Sequence, residues 1–390
     1  MTNTAPPVLA VSETLNVSER LTRLREWRQL YREEDLRLHN QAYQLNPTRS
    51  LDVQKGAQIA AQRRRLRLQL VAEPIEIPLV LLNQPQGLAG LSQSLRQQFS
   101  QLNREDRILW LHNLLFMMTP ALRQLDDKIT RVRSHLRFGQ QRNFLLGGLS
   151  GSGKTTYLDF LAFHYHPQVQ QERNFIPVIK IDAPVSNHTP KPLLQRMVLA
   201  CGYNYLKQEN EEELLMKLAL FFQQCGVELL IVDEVEHLRH WKIRRRLLEV
   251  SNLTQGIPIL CASCNPQSLT HDDPEMAGRW NDYYELPQYV GDNLRQLLAF
   301  VDLLLPFPRT SGLDLYTLSL PNKSSLDGPA RLIEHYTGGI LRDVMILVAQ
   351  ASVRAIERGD AYVTPLSLEA AWREIQSNQV TDFLRIVKVL

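Results

Sequence analysis

No stretch of this chain approaches the roughly 20 consecutive apolar residues needed to span a bilayer, so no membrane-crossing helix is expected. The opening residues, MTNTAPPVLAVSETLN, lack a basic start followed by a long apolar core, which argues against a secretory leader and for a cytoplasmic location. Cysteine is scarce: the four in 390 residues, Cys201, Cys225, Cys261 and Cys264, are too scattered for a disulfide framework and suit a reducing compartment. Cys261 and Cys264 do form a CxxC. No second pair exists to close a zinc site, and both end the apolar run 257–264, as buried strand residues would. Excess charge of one sign is missing too. A formal net charge of +3 permits nucleic-acid binding without demanding it, so any such role rests on a local patch. There is no internal repeat and no low-complexity segment.

What is present is the balance of a soluble globular protein, 44% hydrophobic and 22% charged, long enough for two or three domains. Residues 1–100 are helix-prone and charge-rich, with Leu21, Leu24, Trp27 and Leu30 at helical intervals. A Pro-containing apolar run (73–82) and a turn-like segment (83–87) close that zone, and 95–137 reads as helical, broken at Pro120. Strand and helix signals then alternate. Strands are expected at 143–146, 175–181, 228–232, 257–262 and 282–286, with helices between them, which predicts a mostly parallel sheet covered on both faces. Beyond Pro287 the strand signal stops, and four helices (293–305, 328–336, 340–358 and 366–377) suggest a small helical domain. The division is therefore a helical N-terminal extension (1–100), an α/β core (101–287) and a helical C-terminal domain (288–390).

GLSGSGKT, Gly148 to Thr155, fits the pattern GxxxxGKT once, directly after a strand and before a helix. Gly148, Gly151 and Gly153 can turn backbone amides inward around phosphate oxygens, with Ser150, Ser152 and Thr156 completing the loop and the helix start. Lys154 supplies a point charge to the β- and γ-phosphates of ATP, and the Thr155 hydroxyl is a Mg²⁺ ligand. LLIVDE, Leu229 to Glu234, carries an apolar strand that ends in two carboxylates where open α/β sheets bind ligands. Asp233 is expected to hold the magnesium and Glu234 to act as general base on the attacking water. Asn265, at the end of the fourth strand, is the candidate to orient that water. Ser263 is its competitor, and an Asn that merely ends a strand before Pro266 is the third reading.

A P-loop strand, Asp-Glu after the third strand and Asn after the fourth resemble the AAA+ ATPases. On that resemblance Arg279, just before the fifth strand, corresponds to the arginine finger that completes a neighbouring subunit's site, and Arg342, in TGGILRD, to the lid arginine called sensor 2. DPEMAGRW (273–280), YELP (284–287), LLLP (303–306) and the lead-in from Leu109 to Gly147 are similar to the TnsC/TniB transposition regulators, relatives of phage MuB. The N-terminal hundred residues exceed the compact members, and Asn265 stands where Gly-Thr is often found.

The resemblance implies an AAA+ P-loop core with a parallel five-stranded sheet and a small helical lid. It implies ATP- and Mg²⁺-dependent assembly as a ring or helical homo-oligomer on double-stranded DNA without sequence specificity. Target-site selection and recruitment of a transposase would follow, with hydrolysis driving disassembly. A targeting protein or a CRISPR effector belongs to the partners it allows, in a bacterial cytoplasm. Lys191 and then Lys207 are its first choices for DNA phosphate contacts; Arg244 to Arg246 fan around a helix, with one or two suited to a subunit interface, and the Arg63 to Arg67 run suits a solvated helix face ahead of a DNA or partner contact. Another AAA+ switch of DNA metabolism, a helicase loader or replication initiator-like factor, would share the site and differ in partner.

Overall fold

All five residues of Leu229–Asp233 are buried, as a central parallel strand flanked by helices on both faces requires. The computed structural model describes residues 9–10, 16–45, parts of 52–63, 75–76, 85–134, 143–165, 167–169, 174–185, 189–206, 208–254, 256–271, 273–320 and 323–377. Lys207, Arg64 to Arg67 and Ser186 to His188 lie outside the described residues.

Three helices lead in: α1 (Val17–Tyr43), α2 (Pro85–Ser100) and α3 (Arg104–Trp110). A small parallel sheet joins β1 (Leu9–Ala10), β2 (Ile75–Glu76) and β3 (Met117–Met118). Next come α4 (Pro120–Ser134), β4 (Phe144–Gly147) and α5 (Lys154–His164). A hairpin of β5 (Gln168–Val169) and β6 (Asn174–Phe175) precedes β7 (Val178–Asp182), α6 (Lys191–Ala200) and α7 (Glu211–Cys225). β8 (Leu229–Asp233), α8 (Trp241–Leu253), β9 (Ile259–Ala262), α9 (Pro274–Arg279) and β10 (Asp282–Glu285) complete the core. Beyond it lie α10 (Gly291–Leu304), the strands β11 (Thr317–Leu320) and β12 (Lys323–Asp327), α11 (Pro329–Thr337), α12 (Leu341–Arg358) and α13 (Pro365–Gln376).

The main sheet is five-stranded and wholly parallel in the order β10-β4-β9-β8-β7. Strand β9 therefore separates the P-loop strand β4 from β8 with its terminal acids, the arrangement of AAA+ domains. Period-two alternation sorts the side chains into two cores. Leu145, Ile179, Leu230, Val232 and Cys261 pack under α6, α7 and α8. Phe144, Leu146, Val178, Ile231 and Leu260 pack under α4 and α5.

Four expectations are corrected. The C-terminal region is not purely helical, because β11 and β12 form an antiparallel hairpin; its sequence mark is the turn-favouring pair Pro321-Asn322. The second strand is split at Pro177, which has no N–H to give a ladder: β6 ends before it and β7 starts after it. Pro85 opens a helix and does not make a turn, since a fixed φ and a missing N–H cost nothing in the first turn. Cys261 is buried as expected, but Cys264 is exposed, beyond the end of β9.

The N-terminal helices are not a separate unit. Val17, Leu21, Leu95, Phe99 and Trp110 share one hydrophobic core with Leu297, Phe300, Ile333, Val344 and Leu347 of the C-terminal helices. Arg96 on α2 donates to the carbonyls of Leu305 (2.7 Å) and Phe307 (2.9 Å), and to those of Asp302 and Leu303. Trp110 Nε1 donates to Leu304 O at 2.7 Å. The last turn of α10 is thus capped by side chains from the N-terminal segment, which satisfies carbonyls a helix cannot satisfy itself.

Candidate nucleotide site

The glycine loop needs its glycines for conformation. Gly148, Gly151 and Gly153 hold φ of 139°, 81° and 97°, backbone that L side chains rarely adopt. A Cβ on Gly148 would also stand 2.8 Å from Ser152 Oγ. That hydroxyl is buried without a hydrogen-bond partner, and α5 starts at Lys154 with no side-chain cap on its first amides. Open amides plus an orphaned hydroxyl around a turn are what a phosphate chain fits. Lys154, only 8% exposed, donates from Nζ to the carbonyls of Gly148 (2.6 Å) and Leu149 (2.9 Å), across its own loop.

Strand β8 brings Asp233, 3% exposed, to the same edge. Its Oδ1 accepts from the Glu234 N–H at 3.0 Å and its Oδ2 lies 3.6 Å from Lys180 Nζ. Lys180 also meets Asp159 Oδ1 at 2.5 Å and Asp182 Oδ1 at 3.7 Å. Burial raises the Asp159 carboxyl and Lys180 opposes that rise, while the three carboxylates raise the lysine against its own burial. Glu234 is exposed and, at φ 58°, is the lone non-glycine in the left-handed region among the described residues. Its Oε2 lies 3.9 Å from His237 Nε2.

A cavity of about 690 Å³ opens over these groups. Ser150, Gly151, Gly153, Lys154, Thr155, Thr156, Asp233, Glu234 and Arg342 all line it, as does Asp159. Glu236 lines it too, and its Oε2 is buried without a partner. The facing wall is apolar: Leu114, Phe116, Met117, Leu122, Met345 and Ile346. One end is thus polar, with Lys154 and Arg342 among four carboxylates, and the other is apolar and suited to an aromatic base. Among the described residues no group of three or more His, Cys, Asp or Glu could hold a metal ion. Magnesium does not need one, because it takes one or two carboxylates and completes its shell with water and phosphate oxygens. Thr155 and Asp233 fit that donor set.

The remaining expected residues fall in different places. Arg342, second in α12, donates its backbone N–H to Gly151 O at 2.9 Å, and its Nε meets Asp343 at 2.9 Å. The lid therefore touches the P-loop through the very residue the sequence singled out. Gly148 and Ser152 support the loop from behind the cavity wall. Asn265 is exposed and off the wall, whereas Ser263 and Cys264 are on it; the Ser263 hydroxyl accepts from Asn265 N–H at 3.1 Å. Arg279 ends α9, ahead of β10, whose Asp282 pairs with Phe144 and Glu285 with Gly147. It lies at the edge where strands begin, about 13 Å of strand away from the P-loop edge, and does not line its own cavity. Lys191 is half-buried at the start of α6. Of the arginine run, Arg244 donates to Ser268 O and Leu269 O (both 3.2 Å), and Arg246 pairs with Glu211, Glu212 and Glu249.

The sequence reading misses Lys180 and Asp159. The sequence held one mark of them, a lysine among Val178, Ile179 and Ile181, because an ammonium in a buried strand needs a carboxylate partner. The apolar wall at 114–117 falls in the lead-in that resembles the TnsC/TniB regulators, but no role at the site was expected of it.

Residues 107–289 match the family described as Bacterial TniB protein. No curated protein matches. Among solved structures, the Aeropyrum pernix ORC2 protein (ADPNP-ADP complexes) is similar at 16% identity and a TM-score of 0.45, over 70% of this chain and 71% of that one. Cdc6p from Pyrobaculum aerophilum is similar at 13% identity and a TM-score of 0.47, over 66% and 67%. No helix among the described residues is long and apolar enough to cross a membrane. The stretch 107–289, which carries the P-loop, the acid-tipped strand and the interposed fourth strand, is thus similar to the TniB family and has the parallel five-stranded sheet expected of an AAA+ core.

Proposed function

We propose that the chain binds and hydrolyses ATP with Mg²⁺ and uses that cycle to assemble on duplex DNA, select a transposition target and recruit a transposase. The observation that carries this reading is the match to the TniB family over the residues that form the cavity's P-loop and acidic strand. In this reading Lys154 and the loop amides hold the phosphate chain, Thr155 and Asp233 hold the metal, and Glu234 polarises water. Ser263, on the wall, is better placed than Asn265 to orient that water. Arg342 senses the phosphates from the lid.

The position of Arg279 supports an oligomer. An arginine at the far edge of the sheet serves the cavity of the next subunit, not its own, which makes each site shared and hydrolysis dependent on assembly. Lys191, at a helix start on the ligand edge, remains a candidate phosphate contact, and Lys207 is proposed beside it. Hydrolysis then weakens the assembly and releases DNA.

The test is electron microscopy of the protein on random-sequence duplex. Ordered oligomers are expected with ATP or a slowly hydrolysed analogue, and none with ADP. Lys154→Ala should abolish them, and Arg279→Ala should allow nucleotide binding but remove the DNA-stimulated rate. Assembly of Lys154→Ala indistinguishable from wild type would refute the switch.

A further inference from the structure

An exposed aromatic with two cations over its ring lies outside the nucleotide site. Trp241, the first residue of α8, is 52% exposed. Lys242 Nζ stands 5.9 Å from its ring centroid and the Arg245 guanidinium 5.7 Å, so the indole face carries two positive charges. Arg239, two residues earlier, is exposed as well. Arg239, Lys242 and Arg245 have no carboxylate at ion-pair distance among the described residues. Their neighbours Arg244 and Arg246 differ: the first is bound to backbone carbonyls and the second to three glutamates. The basic run thus divides into an inward half that holds the fold and an outward half with nothing to hold.

We propose that Trp241, Lys242 and Arg245, with Arg239 at the margin, form a surface that binds the DNA backbone. This rests on the DNA-binding reading above and names the residues that reading left open. Cations alone would suit an acidic peptide equally well. The indole tips the choice, because a duplex backbone offers apolar deoxyribose faces between its phosphates, and a water-exposed indole flanked by cations packs on them without sequence preference. The location adds to the case: α8 follows the turn that begins at Glu234, with His237 N–H donating to Glu234 O at 3.0 Å. A duplex gripped at Trp241 is therefore joined by one short, hydrogen-bonded turn to the acid end of the cavity.

The experiment is a salt titration of affinity for a fluorescently labelled random duplex, in the presence of an ATP analogue. The wild type, Trp241→Ala, the double variant Lys242→Gln/Arg245→Gln, and Lys191→Gln are compared. Loss of two phosphate contacts should reduce the slope of log K against log salt by about 1.8, and Trp241→Ala should weaken binding about ten-fold with the slope preserved. Affinity for a fluorescent nucleotide should stay at the wild-type value in both, which also reports that they are folded. Wild-type affinity and slope in both variants would overturn this surface while leaving DNA binding by the protein intact. If the wild type itself binds no duplex, the parent reading fails and this one with it. Normal DNA binding with lost transposase capture would assign the patch to a protein partner and likewise overturn the proposal.

Discussion

Replacing Lys180 with methionine tests the buried charge network beneath the cavity. The wild-type cluster sets one ammonium against Asp159, Asp182 and Asp233, all on or beside β7, β8 and α5, with the lysine side chain 10% and the Asp233 side chain 4% exposed. Methionine has nearly the same volume and packs well, so the change removes charge with little cavity. Three carboxylates would then share a poorly solvated pocket without a cation. Breaking a buried pair by deleting one partner costs about 3–5 kcal/mol. For a cooperative unit of about 150–250 residues that is roughly 2–4 °C per kcal/mol, hence a melting temperature lower by roughly 6–20 °C without nucleotide. The sharper consequence concerns magnesium with nucleotide, because a dication near Asp233 replaces the missing positive charge. Its stabilisation of Lys180→Met should exceed its stabilisation of the wild type. Thermal unfolding of both proteins, with and without Mg²⁺ and a slowly hydrolysed analogue, reads the difference. A loss under about 1 kcal/mol, or an equal ligand-induced shift in both proteins, would refute the reasoning.

Arg96→Met should cost about 3 kcal/mol, because it strips the donors from four carbonyls at the end of α10, and hydrogen exchange should rise in α10 before the main sheet. Asp126 bears on pH: burial pushes its carboxyl up to about 6, even with the Arg123 guanidinium in ion-pair contact at 3.6 Å and the Tyr157 hydroxyl donating at 3.3 Å. A folded-state value above the unfolded one means stability is greatest below the unfolded value and falls as pH rises through about 6, by about 3 kcal/mol. Asp126→Asn should therefore be the more stable protein at pH 7.5, and urea unfolding across pH 4.5–7.5 would show a flatter profile for it. His112 acts in the other direction: burial lowers it to about 4, so the wild type should lose stability as pH falls from 6.5 toward that value. His112→Gln should lose less, measured in the same titration.

The parts of the site dictated by local chemistry were legible in the sequence. A phosphate cradle needs glycines, a lysine and a hydroxyl in one order, and the acidic strand needs four apolar residues before its carboxylates, so GLSGSGKT and LLIVDE predict geometry as well as identity. Parts set by a single residue of register were not. Whether Ser263 or Asn265 reaches the cavity depends on where β9 stops, and it stops at Ala262. Lys180 was a mark in the sequence that only the pairing of Asp182 with Asp233 across β7 and β8 could explain. The alliance of the N-terminal helices with the lid was not legible, because Leu21 and Leu347 come to share one core only through tertiary packing. Each segment alone reads as an ordinary amphipathic helix.

That alliance bears on how a nucleotide would be felt. Most of the cavity's apolar wall, Leu114, Met117, Leu341, Met345 and Ile346, belongs to the core that the N-terminal helices share with the lid, whereas Phe116, Leu122 and the polar wall belong to the main sheet and its helices. A ligand filling it touches both bodies at once. The bond from Arg342 N–H to Gly151 O already ties them at the P-loop. A ligand that binds better when the two walls are close shifts the population toward that closed arrangement by its difference in affinity, and by no more. Because α1, α2 and α3 share the lid's core, they would move with it. In the reading proposed above, these three helices are the part of the chain through which nucleotide state would reach a partner, while Arg279 at one edge of the sheet and Trp241 at the other would face the neighbouring subunit and DNA.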